Sequence, residues 1–98
     1  MSDRLTPHGD SMPSYLVERY APRSGTDPAV TAGALARAAA ELAREGISVV
    51  HRRTTLLPED ETYFHLVEAS SRDAVEALCR RAALGHVRIV AAVDEPDA

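Results

Sequence analysis

Two helix-forming blocks, each opened by a capping residue and closed by a glycine, divide this chain into an alternation that few folds satisfy. The first opens at Asp27-Pro28, where Asp offers an N-cap acceptor and Pro supplies the φ of a first helical position. It runs to about Glu45, and Gly46 suits a left-handed C-terminal cap. The second opens at Ser71-Arg72-Asp73-Ala74 and ends at Gly85. Around them lie stretches rich in β-branched and aromatic residues: Ser14–Tyr20, Ile47–Leu56, Thr62–Ala69 and His86–Val93. The order is strand, helix, strand, strand, helix, strand.

This split-βαβ order predicts an α+β chain of the ferredoxin-like βαββαβ class, a four-stranded antiparallel sheet with both helices on one face. In the first helix Val30, Leu35, Ala38, Ala39, Leu42 and Ala43 share one stripe, and in the second Val75, Leu78, Cys79 and Ala82 do so. Pro58-Glu59-Asp60 breaks the middle of the chain into a hairpin. One domain at 13–94 is expected, preceded by a flexible tail at 1–12 and followed by an acidic tail at 95–98. Ala21–Thr26 reads as a turn-rich loop. A chain of 98 residues has no further element to cover the second face of such a sheet. That face carries too many apolar side chains for water in any register. A homodimer is therefore predicted, its two sheets face to face around a cavity, as in a dimeric α/β barrel.

Composition excludes several classes. Eleven basic against fifteen acidic side chains give a formal charge of −4, which argues against nucleic-acid and anionic-membrane surfaces. All the basic residues are arginine, so lysine Schiff-base chemistry is absent. A single cysteine excludes an intrachain disulfide and a cysteine-cluster metal site. The first twelve residues lack the apolar stretch of a secretion signal, so the cytoplasm is the expected location. No GxGxxG, Walker loop, HExxH, CxxC or GxSxG occurs, and no organic cofactor is expected.

Three segments carry a resemblance: Tyr15-Leu16-Val17-Glu18-Arg19, the hairpin from Val49-Val50-His51 to Thr62–Ala69, and Arg88-Ile89-Val90. Over about residues 13 to 94 the chain resembles a small bacterial ferredoxin-like family typified by an actinobacterial nickel-binding protein. The resemblance implies a dimeric α/β barrel and binding of nickel or another divalent metal. It also implies that His65 stands where metal-binding relatives carry cysteine. Imidazole in place of a soft thiolate keeps a nickel-capable ligand but changes the site.

The candidate ligands are His51, His65, Glu18 and Glu68. Hairpin register decides how the histidines meet. A three-residue connection, Leu57 to Glu59, sets His51 opposite His65, where two imidazoles can bind one metal. A four-residue connection, Pro58 to Glu61, sets His51 opposite Glu68 as a His–carboxylate couple and turns His65 to the other face. Glu18 and Glu68 lie in otherwise apolar strands, so each needs a partner, water or a metal. Arg19 and Arg88 are available as ordinary ion-pair partners. Cys79 reads as a small core residue, His86 as a solvated turn residue, and His8 has no partner spacing. Tyr15, Tyr63 and Phe64 fit either a cavity wall or plain core. The pairs Arg52-Arg53 and Arg80-Arg81 read as a solvated face. Three functional readings follow. The first is a homodimeric protein binding a divalent metal such as nickel, or a small ligand, between its sheets. The second is a cofactor-free monooxygenase or isomerase with His51 or His65 as general base. The third is a ligand-free structural or regulatory dimer.

Overall fold

A computed structural model describes residues 12–20 and 27–93 of the chain. The expected tails, apart from Met12, and the loop 21–26 lie outside the described residues. The elements are β1 (Ser14–Tyr20), α1 (Pro28–Arg44), β2 (Val49–Leu57), a 3-10 turn (Pro58–Asp60), β3 (Thr62–Ala69), α2 (Arg72–Arg81) and β4 (Arg88–Ala92). The strands form one antiparallel sheet in the order β2-β3-β1-β4. Both helices pack on it, so the ferredoxin-like class read from the sequence is the class observed. No helix among the described residues is long and apolar enough to cross a membrane.

The helix ends follow from their caps. The Asp27 carboxylate accepts from the Ala29 N–H at 2.8 Å, and the Ser71 hydroxyl accepts from the Ala74 N–H at 3.2 Å; each satisfies a donor that the helix itself cannot. At the C-terminus of α1, Gly46 takes φ 84°. Its N–H bonds the Ala43 carbonyl and the Ile47 N–H bonds that of Leu42, the double return of a Schellman cap. The end of α2 differs from expectation. The helix stops at Arg81 rather than near Gly85, because Ala83 turns left-handed at φ 56°. The Ala83 N–H bonds the Arg80 carbonyl and the Leu84 N–H that of Cys79. The same cap is thus built on a residue whose Cβ disfavours it.

The core lies between the helices and one sheet face. Leu35, Ala38 and Leu42 of α1, Val75, Leu78 and Cys79 of α2, and Val17, Val49, Val67, Ala69 and Ile89 of the strands are buried together. The α1 stripe is rotated from the expected one. Thr31 is buried at its start, while Val30 is 61% exposed, since Thr31, Leu35, Ala38 and Leu42 follow the helical repeat more closely. Along β3 every second residue is buried, namely Tyr63, His65, Val67 and Ala69. Cross-strand partners share a face, so the register sorts the remaining residues. Leu16, Phe64, Leu66 and Val90 point away from the helices.

Candidate functional site

The hairpin adopts neither register in pure form. A four-residue connection sets Leu57 opposite Thr62, and pairing continues to Arg53 opposite Leu66. Continued unbroken, it would set His51 opposite Glu68. Instead Arg52 is an extra residue in a β-bulge, and His51 pairs with Val67. The cause lies at the two ends of β2. The turn fixes the parity of Leu56 and Leu57, whereas Val49 must face the core, where it is buried. These demands differ by one residue, and the bulge absorbs the difference. His51 is thereby returned to the face of His65.

The two imidazoles meet through Thr54. Its Oγ1 lies 2.9 Å from His51 Nε2 and 2.8 Å from His65 Nδ1, and the ring centroids are 5.7 Å apart, edge to face. His65 is only 1% exposed. Burial holds its pKa down at about 4, with the Arg19 guanidinium and His51 acting in the same direction. Burial also lowers the pKa of His51, partly offset by a hydrogen bond with the Arg53 backbone. Both rings are therefore neutral near pH 7. A hydroxyl has one proton, so it donates to one ring and accepts from the other. The pair is a proton-ordered chain of imidazole, hydroxyl and imidazole.

Beside His65 on the same face lies Arg19. Arg19 pairs with Tyr63 across β1 and β3, and Val17 pairs with His65, which makes Arg19 and His65 diagonal neighbours. The Arg19 side chain is 7% exposed. Its guanidinium sits 4.8 Å from the centre of the Tyr63 ring and donates from Nη2 to the Thr31 hydroxyl at 3.3 Å. Thr31 stands in the opening turns of α1, whose end Asp27 caps.

The sheet separates the four expected ligands. His51 and His65 lie under the helices. Glu18, opposite Phe64 and Arg88, and Glu68, opposite Val50 and Ser14, lie on the other face. There Glu18 accepts from Arg88 at 3.1 Å, and Glu68 accepts from the bulged Arg52 at 2.8 and 3.0 Å. Strand alternation keeps these carboxylates from joining the imidazoles within one subunit. Nor do the rings face a chamber between two sheets, since they point the opposite way. Among the described residues, no group of three or more His, Cys, Asp or Glu is placed to hold a metal ion.

The remaining candidates are placed as follows. Cys79 is buried in the core, its pKa pushed up to about 11 mainly by burial, which leaves an unreactive thiol. His86 is exposed. Tyr15 packs against the core and Tyr63 belongs to the corner with Arg19, whereas Phe64 faces away from the helices. Arg81 grips Glu45 with two bonds of 2.6 and 2.7 Å, tying the ends of the helices together. A separate groove of about 460 Å³ runs between α2 and β4, lined by Arg72, Glu76, Cys79, Arg80 and Ile89 among others. Sequence reasoning missed Thr54 and Thr31, and it placed Arg19 with the carboxylates rather than with His65. Counting by twos from the buried Val17 would have turned Arg19 inward.

A scan against protein-family models matches none, and searches of the curated proteins and of the solved structures find no match either.

Proposed function

We propose that this chain acts as a homodimeric ferredoxin-like binding protein, its two sheets paired through the faces that the helices leave bare. One observation carries the reading: the bare face is apolar at its centre. Leu16, Phe64, Leu66 and Val90 form its middle, with Val50 and Leu57 toward the β2 edge, the last two well exposed. Four strands of about seven residues give a face of roughly 450 Å² in plan, and contiguous apolar surface at the centre of such a face marks an interaction surface. A second copy is the fitting partner because the patch carries charges of both signs, Glu18 with Arg88 and Glu68 with Arg52. Such a surface is complementary to itself across a two-fold axis. Sedimentation equilibrium over a concentration series tests the reading. Dimers are expected for the natural chain and monomers for Leu66→Arg, which puts a charge at the middle of the patch. A natural chain that stays monomeric throughout, or a Leu66→Arg variant that still pairs, would overturn it.

A second reading, binding of a divalent metal such as nickel, is favoured by one observation. His51 Nε2 and His65 Nδ1 aim at one point, Thr54 Oγ1. Rotation of that hydroxyl leaves two neutral imidazole nitrogens facing a common centre, a donor pair suited to borderline metals. This centre lies under the helices, not between the sheets, and excludes Glu18 and Glu68. Calorimetric titration with nickel chloride, on protein without a histidine tag, should give saturable heat that His51→Ala and His65→Ala abolish and Glu18→Gln leaves intact. Absence of heat above the buffer blank removes the metal reading and leaves the dimer standing.

A further inference from the structure

Buried polar atoms normally have partners, and two neighbours on the helix-facing side of the sheet have none. Arg19 Nε and His65 Nε2 are both inaccessible to solvent and both lack a hydrogen-bond partner. They belong to side chains more than nine-tenths buried, and they do not satisfy one another. We propose that Arg19 and His65 form a binding site for a compact oxyanion.

Charge is the first reason. Arg52, Arg72, Arg81 and Arg88 each reach a carboxylate. Arg19, the deeply buried one, reaches none among the described residues. Asp27, at the head of α1, is exposed, accepts from the Ala29 N–H and forms no ion pair with Arg19. A guanidinium out of water requires a counter-charge. Tyr63 and Thr31 supply a ring face and a neutral hydroxyl, neither of which cancels a full charge.

Donor chemistry is the second reason. Arg19 Nε can only donate, and it belongs to a fixed positive charge. Carboxylate or phosphate oxygens are acceptors with the matching charge. The site faces the helices, so it is independent of the dimer.

Nuclear magnetic resonance of the full-length chain tests the proposal. Sodium acetate and sodium phosphate are titrated separately at pH 7, against sodium chloride at equal ionic strength. The Arg19 Nε–H and His65 Nε2 signals should move saturably with at least one oxyanion and not with chloride. The two oxyanion arms separate a carboxylate site from a phosphate site. In Arg19→Gln the response of His65 should weaken roughly tenfold or more, the usual worth of a hydrogen bond to a charged group, while Arg52→Gln should respond like the natural chain. Signals that stay fixed, that drift linearly, or that move alike in chloride would overturn the site, and so would an undiminished response in Arg19→Gln. If Arg19→Gln does not fold, the natural chain's titration decides alone.

Discussion

Acidification should destabilise this fold through one buried ring. Unfolded His65 takes up a proton near pH 6.5, whereas the folded ring resists protonation down to about pH 4. Between those values the unfolded chain binds more protons than the folded one, so stability rises with pH across the window. It is fully present above pH 6.5 and lost as pH falls toward 4. The whole gap corresponds to about 3 kcal/mol, and about 2 kcal/mol of it should vanish between pH 7.5 and 5. His51, whose pKa is lowered for the same reason, acts in the same direction. Glu45, held below its ordinary value by Arg81, contributes only below the chosen range. Urea unfolding at fixed protein concentration, with chelator present, gives the free energy at each pH. In His65→Gln most of the slope should disappear. In the natural chain the imidazole of His65, followed by resonance, should stay neutral at pH 5, a readout that does not depend on how that variant folds. Equal stability at pH 7.5 and 5, or a His65 ring titrating near 6.5, would refute the burial argument.

Two further substitutions probe the frame. Ala83→Gly should stabilise by about 0.5–1 kcal/mol, because glycine accepts the left-handed cap that Ala83 adopts at φ 56° against its Cβ; thermal melting should show a midpoint a few degrees higher. Leu78→Ala removes a fully buried side chain from α2 and should cost about 2–5 kcal/mol, read as a lower urea midpoint with an unchanged m-value.

Much of the fold was legible because its signals are local. Asp27-Pro28, Gly46 and Ser71 work within a few residues, and the alternation of Tyr63, His65, Val67 and Ala69 lies in one strand. The end of α2 was misplaced because an alanine performs the task that sequence logic gives to Gly85. The site was harder to read because it depends on relations between strands. The bulge at Arg52 is invisible along β2 itself; it arises only when the turn and the core impose opposite parities on the same strand. Both hairpin registers assumed an unbroken ladder, so neither could join His51 and His65 through Thr54 while leaving Thr54 opposite His65.

Polar and apolar residues are distributed against habit at one end of this sheet. A sheet under two helices ordinarily turns its apolar side to them and its polar side to water. Near the Val49 end and around the core that rule holds. Toward the hairpin it inverts, with Arg19, Thr31, Thr54 and His65 facing inward while Leu16, Phe64, Leu66 and Val90 face away from the helices. Each half of the inversion carries its own free-energy deficit in a lone subunit. Inside, a positive charge is withdrawn from water with one of its donors unpaired; outside, apolar surface is left wetted. The two deficits are separated by the thickness of one sheet and differ in kind, so no single partner relieves both. A second copy can dry the outer face without touching Arg19, and an oxyanion can satisfy Arg19 without drying Leu66. This is why Leu66→Arg and Arg19→Gln should have separable consequences, the first seen in association and the second in anion response.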